Sequence, residues 1–269
     1  MDNKINFFQD DTVLDATSLS TSRSFVANVF SYMSLALIIS GTLAWWFGTT
    51  DLIHYLVGET GMTTLGWVVT FAPLAFILAL NFGFNRMSMP VMVAVFLAFS
   101  AVMGISLSYI FIVYSLGVIT KVFFITSGLF ATMAVIGYTT KTDLTKMGSI
   151  LRMALIGLVI AMLVNFFMKS ARIDYIISCI GVLIFTGLIA YDTQKIKRIG
   201  AGVEYGTATA GKLAIMGATS LYLDFINLFL FLLHFWSQGL TDGFSKALKR
   251  RGYSRLFSLQ RIQSSFSSA

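Results

Sequence analysis

The sequence predicts an all-α polytopic membrane protein with seven transmembrane helices, and three observations carry that reading. The 269 residues are 57% hydrophobic, with a mean hydropathy of +0.81 and only 12% charged, which is more apolar surface than a soluble core uses. The apolar residues gather in seven runs, each close to the ~20 residues needed to cross about 30 Å of hydrocarbon. Two prolines, Pro73 and Pro90, are all that the chain contains to break helices.

Residues 1–23 carry Asp2, Asp10, Asp11 and Asp15 against Lys4 and Arg23, with no short apolar stretch ending in a small-residue cleavage site. They are expected to form a cytoplasmic N-terminal segment, with the first span kept as an anchor. The spans are placed near 24–47, 64–84, 89–114, 117–138, 149–168, 173–192 and 213–236, in one transmembrane domain over 24–236. The loop over 48–63 has Asp51, His54 and Glu59 and no Lys or Arg, as suits the external side. Connections as short as 85–88 and 115–116 force spans two, three and four to run antiparallel. Gly104, Ser108, Gly128, Gly137, Gly157 and Gly181 are expected at close helix contacts. Cys179 stands alone inside an apolar run and acts as a small hydrophobe.

An inside amino terminus places Lys4, Arg23, Arg86, Lys141, Lys146, Arg152, Lys195, Lys197, Arg198 and Lys212 in the cytoplasm, against Lys121, Lys169 and Arg172 outside. The imbalance favours that orientation. Residues 237–269 run against it, because Lys246, Lys249, Arg250, Arg251, Arg255 and Arg261 make them the most basic segment. They read as a disordered, serine-rich tail or an interfacial segment with Phe244, Leu248, Leu256 and Phe257 among the cations. The net charge of +7 therefore points to a membrane surface, and no groove-reading or base-stacking module supports nucleic acid.

Chemistry concentrates in two aspartates. Asp192 and Asp224 stand in apolar runs, where a carboxylate costs a few kcal/mol or more, so each is a candidate functional group. At ~3.6 residues per turn, Gly217, Ser220, Asp224, Asn227, Phe231 and His234 share one stripe of the seventh span. Such a stripe must face protein or water. Ser220, Asn227 and His234 are thus either lining residues of a polar path or hydrogen-bonding contacts between helices. Asp224 lies about 16 Å into its span, near mid-membrane. Asp192 is expected at the cytoplasmic end of the sixth span, where the helix dipole opposes a negative charge and calls for a partner or a retained proton. If the two carboxyls meet they cannot both ionise cheaply, so the pair holds one proton or takes a cation such as calcium, which favours carboxylate oxygens. The alternative is two separate cavity-facing acids.

The segments Tyr191-Asp192-Thr193-Gln194-Lys195-Ile196-Lys197 and Ala214-Ile215-Met216-Gly217-Ala218, followed by Leu221-Tyr222-Leu223-Asp224-Phe225-Ile226-Asn227-Leu228-Phe229-Leu230, resemble the Bax inhibitor-1 family in its bacterial branch. In layout the resemblance covers about residues 25–236, and the sharp motifs lie in the last two spans. It implies a fold in which six spans surround a central seventh, and a pH-sensitive calcium leak across the bacterial inner membrane. It further implies a di-aspartyl pH sensor at Asp192 and Asp224, the acids that carboxylate chemistry also makes candidate calcium ligands, with Arg86 as the charge partner of the gate. The linker over 200–211 and the long tail depart from the family pattern.

Two other functions compete. A regulatory membrane protein would modulate a membrane-bound quality-control protease, with residues 1–22 as a handle. The paired aspartates also resemble intramembrane aspartyl proteases, but the second acid follows Leu221-Tyr222-Leu223 and lacks the Gly-any-Gly lead, so no enzyme is expected. His54 and His234 lack partners at ligand spacing, and no phosphate-binding glycine motif exists, so no cofactor is expected beyond calcium as an ion carried or sensed. The remaining partners are protons and the bilayer, which Trp45, Trp46, Trp67 and Trp236 mark as interfacial belt residues.

Overall fold

The computed structural model describes the backbone of residues 7–58, 61–204 and 206–250 and the side chains of 22–58, 61–204 and 206–237. Its helices are α1 (Phe7–Thr49), α2 (Thr64–Gly83), α3 (Met89–Leu107), the one-turn α4 (Ile110–Val113), α5 (Leu116–Thr139), α6 (Thr145–Met168), α7 (Ala171–Gly202) and α8 (Ala208–Arg250). Between α1 and α2 lie a short 3-10 helix (Asp51–Tyr55) and a two-stranded antiparallel ribbon, β1 (Val57–Gly58) and β2 (Gly61–Met62). Seven segments are long and apolar enough to cross a membrane: Ser22–Thr49, Thr64–Gly83, Met89–Val113, Leu116–Thr139, Thr145–Met168, Ala171–Gly202 and Ala208–Ser237. They coincide with the seven runs in the sequence.

Local chemistry sets the boundaries. Thr63 opens α2 by accepting a hydrogen bond from the Gly66 backbone N–H at 3.0 Å. Pro90 occupies the first turn of α3, where its missing N–H costs nothing. Lys169 ends α6 in the left-handed region at φ 50°, and its N–H reaches the Asn165 carbonyl. The tryptophans flank one end of the bundle, at the close of α1, the start of α2 and the end of the last span, each partly or largely exposed.

The last span is the most buried of the seven and packs on α1, α3, α5 and α7, whereas α2 and α6 make no comparable contact with it. α6 leans chiefly on α7 and turns a broad apolar face outward through Ile156, Leu163 and Phe167. That offset leaves room between α6 and α8, bridged by α7.

Two expectations need correction, the end of the sixth span and two of the glycine contacts. Asp192 does not end a helix: α7 continues to Gly202, because Ile196 and Gly200 keep packing inward while Lys195 and Arg198 reach outward. The carboxyl-end dipole therefore does not act on Asp192. The long linker is largely helical, since α8 begins at Ala208. The helix also runs into the basic tail as far as Arg250, and residues 251–269 lie outside the described residues. Finally, Gly128 and Gly157 face open space, so they serve no close contact.

Gly104 and Gly137 do. A Cβ on Gly104 would strike the backbone of Ser40 on α1, and one on Gly137 would strike the carbonyl of Ala190 on α7, two residues before Asp192. Gly137→Val is expected to cost about 1–3 kcal/mol by overpacking, and Gly128→Val to stay within about 0.5 kcal/mol. Thermal unfolding of the two variants in detergent checks this, and equal losses would show that the α5–α7 approach is not tight.

Candidate functional site

Asp192 on α7 and Asp224 on α8 meet. Both line one cavity, close enough to interact, with Asp224 buried at 6% exposure and Asp192 half-buried. One oxygen of Asp224, Oδ2, is buried without a hydrogen-bond partner among the described residues. The juxtaposition follows from packing: Ile189, Ile196, Ile215 and Leu221 are buried in the common core, and Ile196 sits so close to Gly217 that a Cβ there would press on it.

The pair lines a cavity of about 520 Å³ together with Arg152, Tyr191, Lys195, Ser220 and Asn227. A second cavity of about 490 Å³ shares Asp192, Lys195 and Ser220 with it and reaches Asn81 and Asn85 at the α2–α3 turn. A third, of about 580 Å³, shares Asn227 and Phe231 with the first and extends to His234 at the opposite end. All six residues of the stripe predicted on the seventh span, from Gly217 to His234, line this chain of cavities. Asn227 also donates its Nδ2 to the Leu223 carbonyl at 2.8 Å, which leaves its oxygen for other partners.

Arg86 lies exposed in the turn between α2 and α3 and lines neither cavity that contains Asp192. The cations whose field reaches Asp192 are Lys195, on the same helix, and Arg152 from α6. Arg152 is positioned by Tyr191: its guanidinium lies 5.4 Å from the ring centroid, and the ring fills the space left by Gly148, one turn earlier on α6. The sequence signal for Arg152 was its place in the apolar run Ile150-Leu151-Arg152-Met153, where a charge is costly.

Close by, the α5–α6 connection is clamped to α7. Buried Gln194 accepts from the Leu144 N–H at 2.9 Å and from Arg198 at 2.8 Å, and donates to the Thr142 carbonyl at 2.8 Å. Arg198 also donates to Asp143 at 2.6 Å and to the Thr145 hydroxyl at 2.9 Å. Lys197 donates to the Tyr138 carbonyl at 2.8 Å, and the Ser22 hydroxyl of α1 donates to the Lys197 carbonyl at 3.0 Å. One turn of α7 thus ties α1, α5 and α6 to the helix that carries Asp192.

Among the described residues, no three His, Cys, Asp or Glu side chains gather as a metal cage. Two carboxylates are what the site offers a cation.

A sequence profile of the family described as "Inhibitor of apoptosis-promoting Bax1" matches residues 22–240. The chain is 40% identical over 212 residues to "Inner membrane protein YbhL" of Escherichia coli, covering 78% of this chain and 90% of that one. It is 43% identical over 216 residues to an uncharacterized protein of Rickettsia prowazekii, covering 79% and 89%. An uncharacterized protein of Borreliella burgdorferi is 39% identical over 232 residues, covering 86% and 99%.

The clamp yields a pH prediction. The Thr145 hydroxyl and backbone N–H, and then Arg198, hold the Asp143 carboxyl well below the usual carboxylate range. A depressed acid contributes stability that is fully present above its unfolded value of about 3.9 and is lost only as pH falls through the lower folded value. Asp143→Asn is therefore expected to lower Tm by the same amount at about pH 5 and about pH 8, and a loss that grows across that interval would contradict the clamp.

Proposed function

The chain belongs to the Bax inhibitor-1 family, and on that basis we propose that it is a pH-sensitive cation leak, calcium being the favoured ion, gated by Asp192 and Asp224. The observation that carries this reading is the meeting of the two carboxyls inside a chain of cavities. The family is not one of enzymes. The similarity to YbhL supports the inner membrane as the place of action.

Two carboxyls in hydrogen-bonding contact need a proton between them, because two carboxylates offer acceptors and no donor. With that proton the pair bridges α7 and α8 and holds the path closed. Without it, two negative charges face each other in a partly buried site, and repulsion favours separation of the helices or entry of a cation. Calcium would take the carboxylate oxygens and complete its shell with Ser220, the Asn227 oxygen or water. The positive charges of Lys195 and Arg152 act on Asp192 and tune the proton count, a role given to these residues ahead of Arg86. In this reading the seventh span is the moving element among the other six, and the closed and open populations shift with proton or calcium binding.

The regulatory reading rests on α1, whose helix starts at Phe7, well ahead of its span, and offers a handle to a partner such as a membrane-bound protease. It takes over if no leak exists.

Calcium flux into proteoliposomes across a pH series decides between them. The parent protein is expected to leak in a pH-dependent way, and Asp192→Asn or Asp224→Asn to flatten that dependence. A second series separates the cations: Arg152→Gln is expected to displace the pH profile, and Arg86→Gln to leave it in place. No leak at any pH would defeat the gate and leave the regulatory reading.

A further inference from the structure

The cavity at the far end of the path carries, besides Asn227, Phe231 and His234 of the stripe, a lining the gate does not use. At its mouth, Lys169 and Asp174 come from the two sides of the α6–α7 turn. They line the same cavity yet do not pair: among the described residues, Asp143–Arg198 is the ion pair formed. The turn itself fixes their relation. Asn165, 3% exposed, accepts from the Ser170 N–H at 3.2 Å and donates both to the Ser170 carbonyl at 3.3 Å and to a carboxylate oxygen of Asp174. Lys169 is held in the left-handed region, which turns it away from the axis of α6.

An acid and a base kept apart at one opening suit a ligand carrying both charges. The rest of the wall says what kind. Met162 and Phe166 of α6 line the cavity and are also 46% and 71% exposed on the outer face of the bundle, so the cavity opens sideways to the hydrocarbon. Leu230 and Phe231 continue that apolar surface inward. The turn that bears Lys169 lies where α6 leaves the membrane, at headgroup level.

We propose that this cavity is a binding site for a zwitterionic phospholipid, its phosphate at Lys169, its primary ammonium at Asp174, and an acyl chain along Met162, Phe166 and Leu230. An ammonium with N–H donors is favoured over a quaternary amine, because Tyr109 lines the same cavity as Asp174 and its hydroxyl oxygen is a further acceptor. Binding does not depend on the leak reading. Only its consequence does, that an occupied site stands across the far end of the path.

The test is thermal unfolding of the full chain in detergent micelles doped with phosphatidylethanolamine, phosphatidylcholine or phosphatidylglycerol of identical acyl chains, with soluble phosphoethanolamine as a fourth arm. Phosphatidylethanolamine is expected to raise Tm most. Lys169→Gln, at an exposed position outside the core, is expected to weaken that response about tenfold in lipid concentration, as loss of a charge-assisted contact does. Asp174→Asn should do the same, and Lys141→Gln, at the opposite end, should not. Equal responses to the three lipids, or a response unchanged in Lys169→Gln, would overturn the proposal. An equal response to soluble phosphoethanolamine would assign the site to a small zwitterion and overturn the lipid.

Discussion

A carboxylate inside hydrocarbon has to find a partner, and the arrangement of α7 and α8 follows from that need. Asp224 is nearly closed off from solvent, and the group it faces is Asp192. Separating these helices would leave either acid among apolar side chains at a cost of several kcal/mol. The surrounding core supports the meeting at every level. Ile189, Ile196, Ile215 and Leu221 are fully or almost fully buried around it, and Gly137 brings α5 against Ala190 just ahead of Asp192. Tight packing on one side and cavities on the other make the surroundings of the pair asymmetric.

The asymmetry comes from α6. It packs chiefly on α7 and makes no comparable contact with α8, so the polar stripe of the last span borders cavities where α7 does not cover it. Arg152 is carried into that space by the same helix and is steadied by Tyr191. The clamp of Gln194 and Arg198 on the α5–α6 connection then fixes the register of α6 against α7 at the other side of Asp192. The lining acid, the lining cation and the clamp therefore sit within a few turns of one helix.

Much of this was legible from the residues alone. Periodicity placed the stripe from Gly217 to His234, and the structure puts every member of it on the cavities. The seven apolar runs became the seven spans. What the sequence alone could not place had a common cause. Arg86, the basic residue nearest the second span in sequence, lies in an exposed turn and does not line the cavities that hold Asp192, because proximity along the chain says nothing about which helices later stand side by side. Gly128 and Gly157 look no different in sequence from Gly137, since smallness permits a close contact without supplying the neighbour.

Composition and hydrophobic run length by themselves determined that the chain is a seven-span helical membrane protein and that Asp192 and Asp224 stand in its apolar runs, where a carboxylate is costly. Both conclusions rest on free energies of single residues in hydrocarbon, which need no knowledge of neighbours. Only the tertiary structure decided that Asp192 meets Asp224, that Arg152 and Lys195 are the cations beside them, and that Asp192 lies within a continuous helix instead of at its end. These depend on which helix faces pack together, and packing is a property of pairs of surfaces that no one-dimensional pattern encodes.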